Sequence, residues 1–161
     1  MADIPSGPGM MERLAEGGSL RGDDLAGFNR PQFATDALGL LVDEVSFERV
    51  LGHLECDERH HQPFGIVHGG VWCAVVESLA SIGATMRVAS SGSVVVGVAN
   101  STDFLRAHRV GRVDAEARPV HVGRTQQLWQ VTLTRAEDGK VVARGQVRLQ
   151  NVDSAQVGGS R

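Results

Sequence analysis

An α+β domain, with one long helix wrapped by a curved antiparallel sheet, is the fold class that this sequence predicts. Three observations predict it. Residues 69–86, GGVWCAVVESLASIGATM, form an apolar run with a single charge, Glu77. A helix apolar nearly all round needs neighbours on most sides. Four segments of strand length follow it, and the last alternates cleanly between apolar and polar residues. Asp138-Gly139, between the final two, is a strong hairpin signal. In 161 residues only a curved sheet can cover such a helix.

Taken in chain order, residues 1–27 are rich in Gly, Ser, Asp and Glu and contain Pro5 and Pro8. They predict a mobile N-terminal extension with at most a short helix around Met10 to Ala15. Asn29, Pro31 and Phe33 predict a short capped helix leading into Gly39. From Leu40, the segments LLVDEV and SFERVLGHLE predict two extended stretches, a hairpin or one bent strand. HHQPFG, residues 60–65, is a loop broken by Pro63 and Gly65. The helix follows over about 70–89. Strands are then expected over 93–106, 111–122, 124–135 and 140–151, arranged as an antiparallel meander. In the last, Val141, Ala143, Gly145, Val147 and Leu149 share one face, and Arg144, Gln146, Arg148 and Gln150 the other. Neither repeats nor a second domain interrupt residues 28–151, and 152–161 read as a flexible tail.

Composition narrows the function classes. Hydrophobic residues at 42% and charged residues at 22% are an ordinary globular balance. A net charge of −3 supplies no global basic field, so neither nucleic acid nor an anionic membrane is an expected partner. A phosphate-bearing ligand would need local arginines. The only cysteines, Cys56 and Cys73, read as reduced, partly buried thiols rather than a secreted disulfide framework. Residues 1–30 contain no signal-peptide pattern. The apolar run approaches membrane-span length, but Glu77, its serines and glycines, and the amphipathic strands beyond it favour a buried helix. A cytoplasmic protein is expected. The six histidines show no metal-ligand spacing, so no metal is expected. Trp72 and Trp129 read as core or interface aromatics, although either could line an acyl pocket.

Glu77 carries the chemical signal. An acid in an apolar helix must find partners, because desolvation disfavours its charge. Ser81 lies one turn on, on the same helical face. Gly69 and Gly70 stand where the helix begins, with unpaired N–H groups and the positive end of the helix dipole. A carboxylate, a hydroxyl and oxyanion donors are the parts of acyl-transfer hydrolysis. The competing reading is that Glu77 reaches solvent or pairs with an arginine in a dimer interface.

HGGVWCAVVESLAS, with HGG leading into a helix bearing E-x-x-x-S, resembles a known family. It is the hotdog-fold acyl-CoA thioesterases of the phenylacetate-degradation and Arthrobacter-type 4-hydroxybenzoyl-CoA group. That group is similar to 1,4-dihydroxy-2-naphthoyl-CoA thioesterases. The likeness runs from about Gly39 to Asn151. It implies a hotdog fold, homodimers joined sheet edge to sheet edge with active sites at the interface, and dimers that pair into tetramers. It also implies residue roles. Glu77 corresponds to the catalytic carboxylate, as nucleophile or general base. Ser81 corresponds to a hydroxyl residue that orients it, and Gly69 to the glycine whose N–H polarises the thioester carbonyl. Gln62 corresponds to a glutamine assisting the carbonyl or leaving thiolate, and His68 to a histidine that shapes that loop or contacts the thioester region. Arg106 corresponds to a CoA-phosphate arginine. Arg124, Thr125 and Gly70 fall at expected substrate or CoA contacts, although Arg124 replaces a small residue. CoA is part of the substrate, and no cofactor is implied. Two alternatives stand beside hydrolysis: a hotdog hydratase or dehydratase acting through HHQP and Glu77, and a non-catalytic acyl-CoA-binding protein.

Overall fold

The computed structural model describes residues 8–157. Its elements are α1 (Pro8–Ala15), β1 (Leu41–Val45), β2 (Val50–Cys56), α2 (Gly69–Val88), β3 (Ser93–Phe104), β4 (Gly111–Val122), β5 (Gln126–Arg135), β6 (Val141–Asp153) and α3 (Ser154–Val157). The six strands form one antiparallel sheet in the order β1-β2-β4-β5-β6-β3, curled around α2. This is the hotdog arrangement.

Alternation explains the strands. On β5, Gln127, Trp129, Val131 and Leu133 are buried, and on β6 so are Ala143, Gly145, Val147 and Leu149. Those inner faces meet Trp72, Val75, Val76, Leu79, Ala80 and Ala84 of α2. Burial of so many apolar side chains is the main term holding helix to sheet. Close approach is needed at one point. A Cβ on Gly83 would overlap the ring of Trp129, which is completely buried. With the turn after it, α2 is long and apolar enough to cross a membrane, yet half of that stretch is buried within this sheet.

The helix is not covered all round. Ala74, Glu77, Ser78, Ser81 and Thr85 form a half-buried stripe at helical spacing, so Glu77 and Ser81 lie where the wrapping stops.

The strand order departs from a meander. β3 does not lie beside β4; it pairs with β6 over Ser93–Phe104, and β4 lies between β2 and β5. The reason is the chain path: residues 105–110 cross from one edge of the sheet to its middle. β1 and β2 form the hairpin alternative, paired from Val45↔Val50 outward.

The N-terminal extension, expected to be mobile over 1–27, is packed where it is described. Leu14, Leu20 and Leu25 are buried in the common core. Leu20 exchanges both backbone hydrogen bonds with Val45, at 2.8 and 3.1 Å. The Asn29 side chain does the same with Val42, at 2.9 and 2.7 Å. Buried Glu44 receives Arg21 from the extension and Arg49 from the turn just before β2. The physical reason is that three buried leucines anchor the segment in the core, while Leu20 and the Asn29 amide bond the β1 edge. Residues 1–7 lie outside the described residues. At the other end, Val152 and Asp153 belong to β6 rather than to a tail, since they pair with Val94 and Ser93. Residues 158–161 lie outside the described residues.

Candidate active site

The helix start is built by two loops strapped together. Gln62 to Ile66 make a tight turn, with Gly65 at positive φ and Gln62 N–H bonded to Ile66 O. Arg109 donates to Gly65 O at 2.7 Å, Val67 N–H to His108 O at 2.8 Å, and His61 Nε2 to Arg109 O at 2.7 Å. This fixes residues 105–110 against 61–67. Between them lies a cavity of about 290 Å³ lined by Gln62, Gly69, Trp72, Phe104, Leu105, Arg106 and His108.

One backbone donor is left open in this region. His68 is the N-cap of α2, and its Nδ1 accepts the Gly70 N–H at 2.8 Å. Val71 N–H goes to His68 O. Gly69 N–H finds no acceptor among the described residues, which leaves it open at the positive end of the helix. Of the two glycines expected as donors, therefore, Gly69 keeps its N–H and Gly70 gives its own to the cap. Gln62 Oε1 accepts from Phe64 N–H at 2.9 Å, which turns its amide nitrogen away from that bond. A Cβ on Gly69 would lie 2.5 Å from the exposed Phe104 ring, which would have to move to admit it.

Glu77 lies elsewhere on the same protomer. Eight residues of helix separate it from Gly69, a rise of about 12 Å. Its carboxylate leans on edge strand β3: Asn100 Nδ2 donates to Glu77 Oε2 at 3.1 Å, and Gly97 lies against Oε1. Ser81 is half-buried on the same stripe, but no hydrogen bond joins it to Glu77 among the described residues. Sequence reasoning missed Asn100 and Gly97. Their signal is spatial, because both stand at least 20 residues from Glu77 in the chain.

The arginines are also apart. Arg106 is exposed beside the start of β6, where Nη1 donates to Val141 O at 2.7 Å. Arg124 and Thr125 are exposed in the turn before β5, held by Asn151 at the far end of β6. The span of β6 between Val142 and Asn151 is about 30 Å at strand rise. Within one protomer the structure therefore groups Gln62, Gly69, His68 and Arg106 at one end, and Arg124 with Thr125 at the other, with Glu77 between. Among the described residues, no cluster of three or more His, Cys, Asp or Glu has metal-site geometry. Trp72 and Trp129 are both buried, Trp72 bordering the cavity and Trp129 in the core.

Comparison with known proteins gives this geometry a family. A family model described as the thioesterase superfamily matches residues 64–142. A Mycobacterium tuberculosis protein whose name assigns it provisionally as an esterase is 47% identical over 119 residues, 73% of this chain and 84% of its own. Its solved structure superposes with a TM-score of 0.72 at 46% identity, covering 74% of this chain and 96% of that one. The 1,4-dihydroxy-2-naphthoyl-CoA thioesterase 2 of Arabidopsis thaliana is 42% identical over 112 residues, 66% of this chain and 70% of its own. A thioesterase structure from Pseudomonas aeruginosa gives a TM-score of 0.74 at 32% identity, covering 81% of this chain and 92% of that one. With fold, helix-start donors and relatives in agreement, the chain belongs to the thioesterase superfamily and is a thioester hydrolase.

Proposed function

We propose that the protein hydrolyses an aromatic or medium-chain acyl-CoA to the free acid and CoA, at sites shared by two copies of the chain. The observation that carries this reading is the separation of the carboxylate from its donors. One acyl carbon cannot lie within about 3 Å of both Glu77 and the Gly69 N–H of the same protomer.

The sheet edges supply a solution. The β1 edge is closed by Leu20 and Asn29, whereas β3 is an open edge with Val96, Val98 and Phe104 exposed. An open apolar edge of this length favours pairing with another strand. In an antiparallel β3–β3 pair about a two-fold axis near Asn100 and Ser101, Gly97 of one strand lies beside Phe104 of the other. Gly97 carries Glu77 against it and Phe104 backs Gly69, so the carboxylate of one protomer faces the donors of its partner. The same axis brings Arg106 beside Val95 of the partner strand, and Val95 pairs with Asn151, which holds the 123–125 turn. Arg106 and Arg124 then border one groove, suited to the phosphates of CoA.

The chemistry follows. Gly69 N–H and the Gln62 amide polarise the thioester carbonyl and hold the developing oxyanion. Glu77 either takes a proton from a water whose oxygen attacks the acyl carbon, or attacks that carbon itself to give a mixed anhydride that water then hydrolyses; Ser81, one turn on, orients the attacking group. The thiolate of CoA leaves and is protonated, and the acid is released. No cofactor takes part. The substrates named for relatives, 1,4-dihydroxy-2-naphthoyl-CoA among them, support an aromatic acyl group. The dimers are expected to pair into tetramers in the cytoplasm.

Hydratase chemistry is less well served. His60 is buried with both ring nitrogens engaged, by Asp57 N–H and Leu38 O, and His61 is tied to Arg109. No histidine bonds to Glu77 among the described residues. The test is thiol release from a panel of aryl- and medium-chain acyl-CoAs. Turnover by the natural chain with loss of at least about a hundredfold in Glu77→Ala supports the reading. Absence of thiol release across the panel overturns it.

A further inference from the structure

We infer that Asn100 is a positioning residue for the Glu77 carboxylate, holding one oxygen so that the other faces the thioester. This deepens the reading above and rests on it, since it needs Glu77 to act on the substrate. Asn100 stands on β3, the strand that runs beside α2 at the open sheet edge. Its Nδ2 donates to two oxygens of the helix, Cys73 O at 3.0 Å and Glu77 Oε2 at 3.1 Å. Its Oδ1 accepts from Thr102 Oγ1 at 2.7 Å.

This network fixes which way round the amide sits. Turned over, its oxygen would face a carbonyl and a carboxylate, neither of which has a proton to give. The Thr102 hydroxyl completes the lock by supplying the proton that Oδ1 needs. Thr102 is seated in turn by Gly145 on β6, where a Cβ would lie 2.5 Å from its Oγ1. On the other side of the carboxylate, a Cβ at Gly97 would overlap Glu77 Oε1. Two glycines and a threonine thus make room for, and orient, one amide and one carboxylate. Oε2 is occupied by an N–H donor, and among the described residues no hydrogen bond reaches Oε1. A long side chain on a half-buried helix stripe otherwise samples several rotamers, and nucleophilic or general-base catalysis requires one.

The experiment compares steady-state kinetics of the full-length chain with Asn100→Ala, Asn100→Asp, Thr102→Ser, Thr102→Val and Glu77→Ala, each checked for folding by circular dichroism. Asn100→Ala lowers kcat about tenfold or more with KM little changed, the scale of one hydrogen bond to a charged group. Asn100→Asp keeps the shape but sets acceptors against acceptors, so its kcat falls below that of the alanine variant. A residue that merely filled space would rank them the other way. Thr102→Ser keeps the wild-type kcat, and Thr102→Val lowers it severalfold. If Glu77→Ala keeps wild-type turnover, the reading of Glu77 fails, and this inference with it. If Glu77→Ala is inactive while the Asn100 variants keep the wild-type kcat, the positioning role alone is overturned. Should the Asn100 variants not fold, equal kcat in Thr102→Ser and Thr102→Val overturns it.

Discussion

Gly97 and Glu77 show how little room a usable carboxylate has. Gly97 borders a β-bulge but has no positive φ, so alanine meets no left-handed strain there, and the atom it would meet is the tip of a flexible side chain. Gly97→Ala is therefore expected to change stability by less than about 1 kcal/mol while displacing Oε1. A drop in kcat of about tenfold with an unchanged denaturation midpoint is the expected result. Cys56 makes the stability of the fold sensitive to alkaline pH. Burial pushes its thiol up to about 12, with Glu55 and Asp57 adding to the rise. Its pKa is higher folded than unfolded, so stability holds below the unfolded value and declines as pH rises from about 9 toward about 12. At pH 8 the folded protein should leave Cys56 unlabelled by a thiol reagent, and denaturant should expose it; rapid folded-state labelling would contradict this. Glu77 was legible in the sequence because a charge in an apolar helix is conspicuous. Asn100 was not, since a polar residue on an edge strand is ordinary until its partner across the fold is known.

Helix α2 and strand β5 meet where an intuitive helix improvement should fail. Glycine within a helix usually gives way to alanine with a gain of about 1 kcal/mol. At Gly83 the added Cβ would overlap the buried Trp129 ring, whose Nε1 is held by Gln127, itself bonded to Ala84 O. Overpacking a rigid site costs about 1–3 kcal/mol, so Gly83→Ala should be net destabilising in urea unfolding. The elements themselves were readable from periodicity: α2 and the four later strands fall within a few residues of their sequence-based bounds. Their order was not. Alternation reports which face of a strand is buried, and both β3 placements bury the same face. The pairing of β3 with β6 is decided by the 105–110 crossover and the helix beneath it.

For the whole molecule, the two sheet edges differ in a way that bears on assembly. One is closed by a segment of the chain itself, the other is open and apolar, so the proposed pairing through β3 would give a closed dimer rather than an open-ended array. The closing segment was hidden in the sequence because Leu14, Leu20 and Leu25 are spread through Gly- and Asp-rich surroundings with no helical or strand period. The closure also has an energetic side. Glu44 is buried between Arg21 and Arg49, so Glu44→Ala leaves two guanidinium groups without their shared partner. It should destabilise the chain by about 1–3 kcal/mol, seen as a lower urea midpoint.

The shared site is tested most directly by mixing two inactive variants, Glu77→Ala and Gln62→Ala, after co-refolding or co-expression. Half of the resulting dimers are mixed, and each mixed dimer holds one site with both residues intact. Recovery to about a quarter of wild-type activity is expected. Activity no higher than that of the separate variants, in a sample shown to contain mixed dimers, would contradict it.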